Sequence, residues 1–171
     1  MSSEYFYHGS DVDGIRELEA RSRLHNSEDR VVYLTDKIPY ALIYIWDKKH
    51  NGYRGKHVTG WIRDGITFYE EQFPEQLKTF YQGVSGTLYY VSRNPGISQM
   101  ENRDNLFYSL TNRTVAREEY IEDVYERLLE FERNGEFRVL RYTEQTKERQ
   151  EELIELVATG IMKAGFYEKD C

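Results

Sequence analysis

The sequence predicts a mixed α+β fold, and three observations predict it. About six to eight short runs have the alternating or β-branched apolar character of strands. About four segments carry apolar residues at helical spacing instead. The two kinds are interspersed in mixed order, with no internal repeat and no low-complexity segment, which favours antiparallel pairing.

Length and composition set the bounds. A chain of 171 residues is enough for one domain that buries most of its apolar surface, so residues 1–171 are expected to form a single domain. Hydrophobic residues make up 39% and charged residues 31%, a polar chain that still fills a core. Tyrosine is abundant, 15 against 8 Phe and 2 Trp, which suits half-buried surfaces with a polar tip: sheet edges, or a groove. The formal charge of −7 argues against a large nucleic-acid footprint, although a local basic cluster is compatible with it. Cys171 has no second cysteine to pair with. The start MSSEYFYHGS lacks the pattern of a signal peptide, and no stretch is apolar for long enough to span a bilayer. The expectation is a soluble, cytoplasmic protein with no membrane partner.

Residues 4–8 read as a short aromatic strand that ends at Gly9-Ser10. Asp11 to Leu18 reads as a polar turn leading into a brief helix or loop, with Ile15 and Leu18 pointing inward. Residues 19–30 have loop composition, and Arg16, Arg21, Arg23 and Arg30 give the stretch a positive balance. It is either a solvated loop or one that faces phosphate. Val31-Val32-Tyr33-Leu34 is apolar on both faces and predicts a central strand. Thr35 or Asp36 is then the N-cap of a helix with Pro39 in its first turn. The helix is expected to run through Trp46 and, being apolar nearly all round, to be buried.

Asp47 to Lys56 is a charged loop. His57 to Ile62 alternates like a strand, Asp64-Gly65 is a hairpin signal, and Ile66 to Tyr69 is the returning arm. A helix is expected from Phe73-Pro74 to about Tyr81, and a strand over 87–91. Residues 92–103 are loop. Leu106 to Leu110 reads as a short strand, and Thr114 to Ile121 as another with Glu118 and Glu119 near its end. Val124, Leu128 and Phe131 mark an amphipathic helix from Asp123, stopped by Asn134-Gly135. Phe137 to Tyr142 is a strand. Thr143 to Lys163 is the longest helical pattern, with Leu153, Ile154, Leu156, Val157, Ile161 and Met162 as its stripe and Gly165 as its stop.

Few familiar constellations are present. His8, His25, His50 and His57 show no zinc spacing, so no metal is expected. Gly83-Val84-Ser85-Gly86 misses the nucleophile-elbow spacing by one residue. Glycine-rich phosphate loops are absent. What remains is Tyr7-His8-Gly9-Ser10, followed by Val31-Val32-Tyr33-Leu34-Thr35-Asp36 and by Ala41-Leu42-Ile43-Tyr44. Over about residues 5–46 this resembles the ADP-ribosyltransferase superfamily, in the branch of diphtheria toxin and the poly(ADP-ribose) polymerases. The matching features are a His-Gly-Ser strand end, a second strand ending in Tyr-apolar-small-Asp, and a further Tyr eleven residues on after an Ala-x-x-Tyr pattern. Glu119-Tyr120-Ile121 resembles the polymerases' Glu-Tyr-Ile step.

The resemblance implies a fold of split antiparallel sheets with flanking helices, and NAD as substrate. Breaking the bond between nicotinamide and ribose passes through an oxocarbenium-like transition state. Tyr33 and Tyr44 would sandwich the nicotinamide ring. Gly9 would let backbone approach its amide, and His8 would bond a ribose hydroxyl. Glu119, or else Glu118, would stabilise the developing positive charge. His8, Tyr33 and Glu119 are thus the expected catalytic set, and Gly9, Ser10, Arg21, Arg23, Thr35 and Tyr44 the expected NAD-binding set, with Ser10 and Thr35 serving equally well as caps. The acceptor of ADP-ribose is not readable. Two other functions fit the same fold. One is an RNA 2′-phosphotransferase-like enzyme that uses Arg21 and Arg23. The other is a non-catalytic domain that binds a ligand or partner.

Overall fold

The computed structural model describes residues 3–160. In chain order its elements are β1 (Tyr5–Ser10), β2 (Glu17–Leu18), β3 (Ser22–Arg23), β4 (Arg30–Thr35), α1 (Ile38–Leu42), β5 (Gly60–Arg63), β6 (Ile66–Glu70) and α2 (Gln76–Tyr81). There follow β7 (Gly86–Ser92), β8 (Ser98–Gln99), β9 (Leu106–Ser109), β10 (Arg113–Thr114), β11 (Arg117–Ile121), α3 (Val124–Arg133), β12 (Phe137–Leu140) and α4 (Lys147–Thr159). The chain is therefore α+β, and every strand pair but β6–β12 is antiparallel. No helix of the described residues is long and apolar enough to cross a membrane. The chain forms two compact units: one takes in the residues up to Ile45 together with Ser85–Glu122, the other Trp46–Val84 and the chain from Asp123 onward.

In the first unit the main sheet runs β11-β7-β1-β4-β9-β8, with β3 also paired to β4. β1 pairs with β7 along its whole length, from Tyr5 opposite Ser92 to Ser10 opposite Thr87. With β4 it shares a single bridge, Tyr7 opposite Thr35. One sheet face carries Phe6, Val32, Leu34, Tyr89 and Val91, which with Leu18 form a buried cluster. The other face carries α1 and the turn after it. A Cβ built on Gly9 would lie 2.1 Å from the Ala41 carbonyl oxygen and 3.1 Å from Ile45 Cγ1, and one on Gly86 would lie 2.4 Å from Ile45 Cγ2. Two glycines on neighbouring strands thus form the seat on which this segment rests.

Several elements differ from the sequence expectation. α1 stops at Leu42 rather than reaching Trp46. Its last bonds tighten to three-residue steps, Tyr44 N–H to Ala41 O at 3.3 Å and Ile45 N–H to Leu42 O at 2.9 Å. Ile43 and Ile45 are β-branched and disfavour a longer helix, while both are fully buried on the sheet. Nor is the segment buried all round, since Tyr44 is 46% exposed. Residues 11–18 form no helix. They lead into β2, which pairs with β10. The strand-like run 114–121 divides at Val115-Ala116, whose N–H groups turn to Arg16 O and Tyr90 O.

The second unit has a three-stranded sheet, β12-β6-β5. Asp64 and Gly65 both adopt left-handed backbone, φ 52° and 77°, the primed turn that matches strand twist. The carboxylate of Glu70 on β6 is buried, and its partners are half-buried. Arg149 of α4 donates from Nη2 at 2.5 Å and from Nε at 3.0 Å, and Gln145 Nε2 donates at 2.9 Å. Next to it Glu71 accepts from the N–H groups of Leu77 and Tyr142. Desolvation raises its pKa, and those two bonds oppose the rise.

Helix ends in this unit follow their caps. α2 begins at Gln76, not at Phe73-Pro74, because Glu75 takes a left-handed φ of 59° at the N-cap. α3 is capped by Asp123, which accepts from Glu126 N–H, and stops at Asn134. α4 begins only at Lys147, where Thr146 caps it, and Gly160 ends it at φ 66°. Leu153 and Leu156 are buried as the stripe predicts, but Ile154 is 57% exposed. Ile161, Met162 and Gly165 lie outside the described residues, as does Cys171.

Two stability outcomes follow from this packing. Gly9→Ala puts a methyl group into the Ala41 carbonyl and should lower stability by about 1–3 kcal/mol, read as a lower urea midpoint. An unchanged midpoint would contradict the seat. Arg149→Met strands the Glu70 carboxylate and should cost about 3–5 kcal/mol, whereas replacing both partners by Met should recover much of the loss. Equal losses in the single and double variants would show that the pair is not the cause.

Candidate functional site

The single bridge between β1 and β4 leaves the rest of the two strands unpaired with each other, and His8 lies at this fork. Its Nδ1 is 2.9 Å from the carbonyl oxygen of Tyr33. A carbonyl only accepts, so Nδ1 carries the hydrogen, and in the neutral ring Nε2 is left as an acceptor. Burial lowers the His8 pKa, and the bond to Tyr33 O works against that shift. The ring is therefore neutral at pH 7.

Tyr33 is half-buried on β4, and its hydroxyl donates to Arg23 O at 2.8 Å. Tyr44 lies just beyond α1. Its hydroxyl is 3.1 Å from that of Tyr40, and the two rings meet edge-on with centroids 5.5 Å apart. Desolvation raises the Tyr44 pKa, the Tyr40 hydrogen bond lowers it, the nearby Tyr33 phenol raises it and the Arg103 charge lowers it. Tyr33, Tyr44 and Arg103 therefore share one electrostatic neighbourhood.

Arg103 was not among the residues singled out from the sequence, because it sits in a segment read as plain loop. The structure ties that loop to the end of β4. Asn105 O accepts from the Thr35 hydroxyl at 2.8 Å, and Asn105 Nδ2 donates to Asp36 Oδ1 at 2.9 Å. Asn102 and Asn105, on either side of Arg103, have φ of 57° and 68°. Asparagines tolerate that backbone, so two of them flanking an arginine were the available signal of a tightly shaped turn.

The remaining expected binding residues have partners within the chain. Thr35 is 3% exposed, and its hydroxyl donates to Asn105 O and accepts from Lys37 N–H, which makes it a tie at the entry to α1. Ser10 Oγ accepts from Val12 N–H and shapes the turn after β1. The open side of Gly9 is occupied by Ala41 O, so the close approach that a glycine permits is used by the chain's own helix. Arg21 pairs with Glu19 at 2.6 Å, and Arg23 pairs with Glu28 and donates to Ser27 O. Both guanidinium groups are exposed and bonded to their own loop.

The acids lie inside the strand β11. Pairing through β7 sets Glu118 level with Tyr89 and His8, and Glu119 level with Leu88 and Gly9. Each acid is two strand spacings from β1, roughly 10 Å between main chains. Because side chains alternate, Glu118 shares the face of His8, whereas Glu119 shares the face of Gly9, Tyr7 and Tyr33. The Tyr90 hydroxyl donates to Glu119 Oε1 at 3.3 Å, and Glu119 is half-buried while Glu118 is exposed. Glu118 opens onto a cleft of about 430 Å³ lined by Ile15, Arg16, Val115 and Arg117.

The neutral state of His8 has a pH signature. Its folded pKa lies below the unfolded value, so the unfolded chain binds more protons as pH falls. The contribution of His8 to stability is complete above its unfolded pKa, near 6.5, and is lost as pH falls from there toward the lowered folded value. Between pH 7.5 and 5.5 the Tm of the wild type should fall more than that of His8→Asn. Parallel curves would contradict a ring held neutral in the folded chain. No protein-family model matches this chain, and no curated protein or solved structure shows significant similarity to it.

Proposed function

We propose that the first unit is an ADP-ribosyltransferase-like domain that binds NAD and transfers its ADP-ribose to an acceptor. The observation that carries this reading is the sheet register. Residues far apart in the chain, Gly9, Tyr33 and Glu119, share one sheet face, and His8 reaches across the fork between β1 and β4 to the Tyr33 carbonyl. With Tyr44 in the electrostatic neighbourhood of Tyr33, the sheet carries aromatic, imidazole and carboxylate groups of the kinds that the reaction calls for, with His8 on the face opposite Glu119.

The chemistry asks little of covalent catalysis. Tyr33 and Tyr44 hold the nicotinamide ring, and His8 Nε2 accepts a hydrogen bond from a ribose hydroxyl. As the glycosidic C–N bond breaks, its electron pair leaves with nicotinamide and the ribose carbon gains positive charge. The Glu119 carboxylate stabilises that charge and bonds the ribose 2′-hydroxyl. The acceptor's nucleophile then adds to the carbon and loses its proton to water. Arg103, whose charge is felt by Tyr44, contributes positive charge suited to the pyrophosphate of the same substrate.

Titration calorimetry with NAD tests the binding. The wild type should bind, and His8→Ala or Tyr44→Ala should weaken binding at least tenfold. No heat with wild type, or equal affinity in both variants, would sink the reading. For the reaction, Glu119→Gln should retain NAD affinity while nicotinamide release falls about 100-fold, and Glu118→Gln should leave release within a few-fold of wild type. The opposite ranking would move the acid to Glu118.

A further inference from the structure

The second unit carries a feature that the NAD reading does not use. Between Asp47 and His57 the chain has four cations, Lys48, Lys49, Arg54 and Lys56, and one carboxylate, Asp47, in a protein whose net charge is −7. All four cations are exposed. The main chain beneath them is held firmly. Lys48–His50 is a 3₁₀ turn capped by Asp47, and Tyr53 N–H bonds His50 O at 2.9 Å. His57 Nε2–H donates to His50 O at 2.7 Å. The buried Gln72 accepts from Lys56 N–H at 2.9 Å and from the Tyr53 hydroxyl at 2.8 Å, while Gln76 donates to Lys56 O at 3.1 Å. Gly55 packs so close to Gln72 and the Tyr53 ring that a Cβ there would lie 2.2 Å from Gln72 Oε1.

The aromatic residues of the segment support this scaffold. His57 stacks on Trp46 at 4.0 Å, Lys48 Nζ lies 3.9 Å over the Trp46 ring, and Tyr53 packs edge-on against Phe73 and Phe80. The loop therefore offers exposed positive charge on a held main chain, with Trp46 and Tyr53 engaged in ring contacts of their own. Lys49 pairs with Asp47 at 2.9 Å, but its side chain is 71% exposed, and such pairs are worth little and exchange readily.

We infer that the Lys48–Lys56 loop is a docking surface for the phosphodiester backbone of a nucleic-acid strand. A protein partner would be expected to use an apolar anchor at the centre of its contact. Among the described residues of this unit, the large apolar side chain that stands exposed is Ile154, on α4 and outside the loop. Recognition by charge alone suits a polymer whose charge is evenly spaced. The footprint is about three phosphates, for Lys48, Lys49 and Arg54, small enough to sit on an acidic protein.

Fluorescence anisotropy with labelled 15-mers of oligo(U) and oligo(dT), on the full chain, tests this. Binding should be tight at 20 mM salt, and log K should fall against log salt with a slope of about −2 to −3, from roughly 0.7 per phosphate on a single strand. K48E/K49E/R54E should lose at least tenfold in affinity and flatten the slope, and K48Q/K49Q/R54Q should fall between it and wild type, with melting curves unchanged in both. Equal affinity for the two oligomers, or a preference for RNA, supports the inference. No binding by wild type at 20 mM salt overturns it, as does wild-type affinity in the charge-reversed variant. Displacement by polyglutamate at equal charge concentration would also overturn it and assign the loop to an acidic polypeptide. NAD titration of the same variants reads the first unit separately.

Discussion

In the first unit, a backbone carbonyl resting on a glycine in the middle of a sheet sets much else. Ala41 O occupies the space that any side chain at Gly9 would fill, and Ile45 uses the same kind of opening over Gly86. This contact brings α1 down onto β1 and β7. It leaves no room for the helix to continue as a regular cylinder, so the chain turns after Leu42 and presents Tyr44 outward. The outward placement of Tyr44, where it feels the Tyr33 phenol and the Arg103 charge, is thus a consequence of two missing side chains on the strands below.

The fork between β1 and β4 is the second constraint. A continuous ladder there would engage both strands and leave their ends without distinctive chemistry. Because the pairing stops at Tyr7–Thr35, the Tyr33 carbonyl is available to His8, and that bond selects the imidazole tautomer. Burial then keeps the ring neutral. The loop carrying Arg103 is bound to the same strand end through Asn105, Thr35 and Asp36. A small set of polar contacts at the end of β4 therefore organises both the strand end and the loop.

The second unit solves a different problem, that of holding charge in its interior. Glu70 and Glu71 are adjacent on and after β6 and both are buried, yet each has its lone pairs answered, one by a guanidinium and an amide, the other by two main-chain N–H groups. Removing a partner would leave a buried charge uncompensated, so these residues act as a tie between β6, α4 and the chain around Tyr142. Gln72 and Gln76 extend the same principle to the Lys48–Lys56 loop, whose backbone they hold from below.

Read as sequence, the chain already determines the α+β class and most element positions. These depend on local periodicity and on turn chemistry, as in the Asp64-Gly65 hairpin and the Asn134-Gly135 stop, which act within a few residues. The spacing of His8, Tyr33 and Tyr44 was legible for the same reason. Tertiary structure alone decided the rest. It shortened α1, because the glycine seat lies on other strands. It put the Arg103 charge within electrostatic reach of Tyr44. It also placed Glu119 on the face of Tyr33 and Glu118 on that of His8, a distinction set by strand register through β7. Register is a long-range property: sliding a strand by one residue exchanges its two faces, and no local pattern near residues 118–119 specifies which partner lies opposite.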